Sequence, residues 1–358
     1  LLSLLLEADG ISTDMIGINA AMSPIGILLF SPVIPYFSKR YGSRYTAIAA
    51  VVITSALLVG YKLFDTLEAW FILRLMHGMS IATLFVLSEA WVVRFAGNDH
   101  RGKVVAIYGA ILSVSFGAGP ALVGWIGIDG WAPFLIGAAV ILLSIIPLGL
   151  LREEAAPPVE ESPAGSLFSF AARAPVLLSA VAVFAIFDTA SLSFIPLYGL
   201  QNGLDLRIAA LSLSVLIIGN VVLQFPIGWM VDRYSKRRVM LACSLATVIF
   251  ACLLPLSMGQ AWMWPVLVFL GAAAYGIYTV SLAELGDRFH GHDLVTGSAA
   301  FAAMWGIGAL LGAVSGGWAM SHFGPHGLPL FLAFCYAALF IGILWRRSHS
   351  PGKAPGIR

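Results

Sequence analysis

Long apolar runs broken by short polar stretches cover almost the whole chain. Eleven of them, near 15–37, 45–64, 68–93, 103–126, 131–151, 174–199, 206–231, 238–258, 261–284, 293–320 and 326–345, are long enough to cross a membrane. A hydrocarbon core of about 30 Å needs roughly 20 helical residues. Spanning strands would be near ten residues with strict alternation, which this sequence lacks, so helices satisfy the backbone here. The opening "LLSLLLEADG" reads as the outer end of a further helix whose beginning is absent. The expected class is an all-α membrane protein with twelve spans, the first truncated.

Composition agrees with this reading. The chain is 59% hydrophobic and 11% charged, against about 45–50% and about 25% in soluble domains. Cys243, Cys252 and Cys335 all fall inside spans and form no CxxC pair; they read as buried thiols with no disulfide or metal role. The net charge of +2 conceals an uneven distribution. If the loop at 38–44 is cytoplasmic, alternation makes the loops at 94–103, 152–173, 232–238 and 286–293 and the C-terminus cytoplasmic too. Of the 20 Lys and Arg, all but Lys62, Arg74 and Arg207 then lie inside, as the positive-inside rule demands. The expectation is an integral protein of a bacterial cytoplasmic (inner) membrane, both termini cytoplasmic, monomeric, with the lipid bilayer and a small solute as partners and no nucleic acid.

The chain repeats itself. Setting "YFSKRYGSR" (36–44) on "WMVDRYSKR" (229–237) brings Arg40 to Arg233, Tyr41 to Tyr234 and Arg44 to Arg237, all at the 193 positions that separate Arg40 from Arg233. The same offset carries Gly10 to Gly203, Gly119 to Gly312 and Gly124 to Gly317. A slip of one or two residues brings Glu89 to Glu284 and Arg94 to Arg288. Two six-helix halves, 1–151 and 174–346, are therefore expected, joined by a cytoplasmic linker at 152–173 and followed by a tail at 347–358. Because six is even, the halves share one orientation and form a parallel repeat. The Pro, Glu and Ala of the linker mark it as solvated.

Gly228, Asp232, Arg233, Ser235, Lys236, Arg237 and Arg238 resemble the signature loop of the major facilitator superfamily: Gly, three residues, Asp, Arg, any residue, Gly, then bases. In the first copy Pro35 and Lys39 replace the glycine and the acid, leaving Arg40, Gly42 and Arg44. Arg74 and Gly78 resemble the family's second motif. "GAGPALVG" (117–124), with Gly117, Gly119, Pro120 and Gly124, partly resembles its third, although Leu122 and Val123 replace a double glycine frequent in exporters. The resemblance implies that the first, fourth, seventh and tenth spans line a cavity, letting Arg74 and His77 face Asp188.

The candidate chemistry lies in few residues. Asp188 is the only acid deep in a span, 11 residues from Gly199, or about 16 Å along a helix. Ionised and facing lipid it would cost at least about 3 kcal/mol, so it should face the interior or a wet cavity. An acid kept from water suits proton coupling; equally, it can be a hydrogen-bonded lock between helices. Pro196 can loosen the outer end of the same span into a gate. Arg74 and His77, on one face of their span, can bind an anion or pass a proton; a packing clamp is the plainer role. Tyr275 and Tyr278 offer rings and hydroxyls to a substrate, or simply fill the core. At the cytoplasmic end, Arg233, Arg237 and Arg238 can clamp carboxylates two-pronged, with Glu89 and Glu284 as expected partners in a latch that also uses Asp232, Arg40, Arg44, Arg94 and Arg288. Fixing topology is the alternative for the bases. Gly308, Gly312 and Gly316, and Gly109, Ser113, Gly117 and Ala121, form helix-packing faces at intervals of four.

No HExxH, GxSxG or spaced Cys and His pair is present, nor a phosphate-cradling glycine loop; neither an enzyme nor a direct ATP driver is indicated, and no cofactor or metal is expected. A secondary transporter of a small organic solute by alternating access, proton-coupled, is the leading reading. The alternatives are a facilitated-diffusion uniporter and a non-transporting receptor or scaffold. Direction and substrate stay open, since fold alone names neither.

Overall fold

The computed structural model describes residues 1–95, 97–150, 170, 172–289 and 292–349, with side chains described in these except at 93–106, 109–110, 292–295 and 346–349. The described residues contain no strand. Among the described residues fourteen α-helices follow one another: α1 (Leu2–Ala8), α2 (Thr13–Phe30), α3 (Ile34–Tyr41), α4 (Ser43–Leu63), α5 (Leu67–Phe95), α6 (Gly97–Ile126), α7 (Ala132–Leu143), α8 (Ile145–Leu150), α9 (Pro175–Gln201), α10 (Leu206–Arg233), α11 (Lys236–Ser257), α12 (Met263–Arg288), α13 (His292–Phe323) and α14 (Gly327–His349). Ten segments among the described residues are long and apolar enough to cross a membrane. The short α1 and α6, apolar over Ile111–Ile126, fall at the two remaining expected spans. The linker at 152–173, apart from Phe170, Ala172 and Arg173, and most of the tail at 347–358 lie outside the described residues.

Two expected spans are interrupted, and prolines explain where. The run over 15–37 extends to Tyr41 but carries a 3-10 turn at Ser31–Val33 between α2 and α3. Pro32 and Pro35 bring no amide hydrogen to the ladder there. The run over 131–151 breaks at Ser144, whose hydroxyl donates to the Ile141 carbonyl at 2.6 Å, just ahead of Pro147. The signature motif is also less of a loop than its composition suggests. Asp232 and Arg233 form the last turn of α10, and Tyr234 and Ser235 are the whole connection to α11.

The internal repeat recurs in the backbone. Gly10 and Gly203 both turn with positive φ, 76° and 83°, a conformation that costs glycine little and other residues much. The first motif copy turns on Gly42 at φ 85°, whereas its counterpart Ser235 is extended at φ −60°; losing the glycine changes the turn.

Two seams join the halves, α2 against α13 and α6 against α10, and they are repeat-equivalent. A Cβ on Gly317 would stand 3.0 Å from the Cα of Gly17, and one on Gly124 would stand 3.3 Å from the Cβ of Ala210. The offset that takes Gly124 to Gly317 takes Gly17 to Ala210. Small residues let these backbones meet. At the end carrying the α1–α2 and α9–α10 connections, the halves are also tied by polar contacts. Gln201 Nε2 donates to Glu7 Oε1 at 2.7 Å, and the Arg207 guanidinium lies 4.7 Å from the centre of the Trp125 ring.

Within the second half, α13 packs on α9 through the glycine face. A Cβ on Gly308 or Gly312 would run into the carbonyl oxygen of Ala182 or Ile186, and one on Gly316 would stand 3.3 Å from the Cβ of Ala190. In α6, Gly117 meets Ile217 and Ile218 at ordinary distance, while Gly119 has open space around it. Gly312→Ala is therefore expected to destabilise the protein by about 1–3 kcal/mol through overpacking, read as a lowered thermal midpoint in detergent. Gly119→Ala should change it by less than about 0.5 kcal/mol; equal effects would refute the seam.

Candidate functional site

Asp188 sits midway along α9, half-buried, about 20 Å from the helix end at Gln201 by a rise of 1.5 Å per residue. Its Oδ1 accepts a hydrogen bond from the Tyr275 hydroxyl of α12 at 2.8 Å. Rings surround the pair. Phe184 stacks on Tyr278 at 4.7 Å and 27° and meets Tyr275 edge-on at 5.7 Å, and Phe187 bridges Tyr275 and Tyr336 at 5.8 and 5.9 Å. Phe184 precedes Asp188 by one turn, and Tyr275 precedes Tyr278 by three residues, so both helices present these groups on one face. Asp188, Tyr275 and Tyr278 thus come together. Among the described residues, no Lys, Arg or His lies within ion-pair distance of Asp188. The carboxyl has one neutral donor and an apolar shell, an environment that makes gain or loss of a proton consequential.

Arg74 and His77 do not join this group. Arg74 Nη1 donates to Asn19 Oδ1 of α2 at 2.6 Å, and the Ser23 hydroxyl donates to the Arg74 carbonyl at 3.3 Å. His77 Nδ1 lies 3.4 Å from the Tyr61 hydroxyl of α4, and Trp70 holds Tyr61 edge-on while donating to its carbonyl at 3.1 Å. Neither side chain bonds to Asp188 among the described residues. Close approach explains it: Gly26 and Gly78 let α2 and α5 touch backbone to backbone, and α5 also packs on α4, so its polar groups find partners within their own half.

The basic end shows a different pairing from the expected latch. Glu284 accepts from Arg288 Nη1 at 3.0 Å, its neighbour one turn along α12, and Lys236 pairs with Asp287. Arg237 donates to the Ile343 carbonyl of α14, while exposed Arg233 lies over Trp229 at 5.4 Å. Asp232 is exposed and Gly228 has open space around it. In the first half Arg40 donates to the Tyr36 hydroxyl at 2.7 Å and Arg44 to the Gly149 carbonyl at 2.6 Å. Glu89 lies within electrostatic reach of Tyr108 and Tyr278. Arg94 lies outside the residues whose side chains are described. Arginine reaches helix-end carbonyls here because α11 and α14 pack side by side, and a partner one turn away on the same helix outcompetes one on another.

Two cavities flank these groups. One of about 350 Å³ lies between α1, α6, α9 and α10, touching Gly119, Pro120, Leu192 and Pro196. The other, of about 280 Å³, lies at the basic end among Arg173, Arg237, Glu284 and Arg288.

The sequence profile of the Major Facilitator Superfamily matches residues 1–219 and 203–358. The chain belongs to this superfamily. Its relatives include the MFS-type transporters YfkF of Bacillus subtilis, 24% identical over 96% of this chain and 89% of that one, and Ent638_1421 of Enterobacter sp., 25% identical over 97% and 90%. Similar solved folds are the nucleoside transporter NupG, with TM-score 0.80 and 13% identity over 97% of this chain and 94% of that one, and a D-xylose-proton symporter, with TM-score 0.68 and 18% identity over 95% and 88%. This MFS protein is a membrane transporter, not an enzyme.

Sequence reasoning passed over Asn19, fully buried on α2, and the bond from Gln224 of α10 to Thr279 of α12. A polar amide inside an apolar run was the available signal. For the transporter's central pair, a double-mutant cycle of Asp188→Asn and Tyr275→Phe, followed by thermal unfolding, is expected to give a coupling of about 0.5–3 kcal/mol. Simple additivity would show that the two side chains do not act on each other.

Proposed function

We propose that this MFS transporter moves a small organic solute by alternating access, with Asp188 taking up and releasing the coupling proton. The observation that carries the reading is the Asp188 to Tyr275 hydrogen bond, set among Phe184, Phe187 and Tyr278 deep in the second half. A carboxyl with one movable donor and, among the described residues, no counter-cation can exist in either protonation state, and changing that state alters its bond to α12 and hence the packing of α9. A proton symporter among the structural neighbours supports the coupling. The same hydrogen bond also suits a second reading, a facilitator in which Asp188 only fastens α9 to α12.

The orientation that obeys the positive-inside rule puts the basic end in the cytoplasm. The Glu7 to Gln201 and Trp125 to Arg207 contacts then form an outer gate above the cavity that Leu192 lines. With Cys243, Cys252 and Cys335 replaced, a cysteine at Leu192 should react with a membrane-impermeant maleimide on intact cells faster in a Gln201→Ala, Arg207→Ala background than without it. A cysteine at Asp232 should react only after the cells are opened. Labelling of Asp232→Cys in intact cells would reverse the orientation.

Coupling is tested in liposomes loaded with a pH-sensitive dye, offered sugars, nucleosides, amino acids, organic acids and lipophilic cations one at a time. Proton movement triggered by one compound in wild type and lost in Asp188→Asn is the expected result. Passage of that compound without protons, unchanged in the variant, would establish the facilitator.

A further inference from the structure

Among the described residues, no acid balances the charge of Arg74. Its Nη1 donates to the neutral Asn19 carbonyl oxygen at 2.6 Å, and among the described residues no carboxylate lies within ion-pair distance of it. Its electrostatic neighbours include Tyr61 and His77, neither of which brings a negative charge at neutral pH. A cation placed in an apolar span without a partner is costly and marks a ligand pathway by default. The second observation comes from Asn19 itself. It is fully buried, and with its oxygen committed to Arg74 its Nδ2 has no hydrogen-bond partner. A buried donor left unpaired carries a penalty that a native fold seldom accepts without use.

We infer that Arg74 and Asn19 form an oxyanion subsite, binding a carboxylate or phosphate group of the transported solute between the free guanidinium N–H groups and the Asn19 amide. The inference deepens the transport reading and rests on it for the ligand being cargo. The site is preorganised by the tight α2 and α5 contact, where a Cβ on Gly26 would meet the Met79 amide nitrogen at 2.9 Å, and by the Ser23 bond to the Arg74 backbone. Arg74 is half-buried, whereas Asn19 is fully buried behind it. Asn19 also lies beside Ala20 and Ala21, which pack against Ala313 in the seam between the halves. An anion held there bears on the contact about which the halves move.

The test is binding, with no gradient imposed. The full chain in detergent is unfolded thermally in sodium chloride with acetate, benzoate, inorganic phosphate or glycerol phosphate added, because a ligand that binds only the folded state raises the midpoint saturably. At least one of these oxyanions is expected to do so in wild type, with affinity weakened at least about tenfold in Arg74→Gln, the loss of one charge-assisted hydrogen bond. Asn19→Asp is the decisive variant, since its carboxylate would occupy the guanidinium from within. It should fold as well as wild type or better and lose the response, which keeps the proposal open to refutation if Arg74→Gln does not fold. A response to the carboxylates alone, or to the phosphates alone, names the group bound. No saturable response in wild type, or an undiminished one in Asn19→Asp, overturns the subsite. Proton coupling is read separately, in the liposomes, so an anion response in detergent without proton movement there tells failure of the transport reading from failure of the anion site.

Discussion

Everything in this bundle depends on how closely two pairs of helix backbones can approach. Inside a bilayer, lipid tails are as apolar as leucine, so helices gain little by hiding from solvent and must gain by packing. The two seams between the halves use the same solution twice, Gly17 with Gly317 and Ala210 with Gly124. In each contact small residues stand face to face where the backbones come nearest. In the proposed alternating-access cycle, these are the contacts about which the two halves would turn.

The polar groups inside the spans divide between the halves. Asn19, Arg74, Tyr61 and His77 form one cluster on α2, α4 and α5, and Asp188 and Tyr275 form another on α9 and α12. The helix α13 lies against both α2 and α9, so it touches a carrier of each cluster. Gly312 and Gly316 set its distance from α9, while Gly317 sets its distance from α2. In the proposed cycle, a proton on one cluster and a solute group on the other are sensed through one shared helix without touching each other.

Most of the scaffold was readable along the chain. Apolar length fixed the helices, and the 193-residue offset matched Gly10 with Gly203 and Gly124 with Gly317, pairs that the structure shows at equivalent turns and in equivalent seams. The glycine face of α13 was foreseen because spacing by four always returns to one side of a helix. Partner choice was not. Glu284 took Arg288 rather than the motif arginines, and Arg237 took the Ile343 carbonyl, since which of several nearby groups an arginine meets depends on ångström-scale distances between helices. Arg74 faced Asn19 for the same reason.

By itself, then, the sequence determined what a bilayer imposes: helical spans, their order, and the demand that an acid such as Asp188 turn away from lipid. These follow from local length, polarity and period, which need no knowledge of neighbours. Only the tertiary structure decided that Asp188 joins Tyr275, that Arg74 joins Asn19 and that these pairs stand apart. Those choices rest on the rotation of each helix about its axis and the tightness of each seam, where a shift of one small side chain redirects a hydrogen bond.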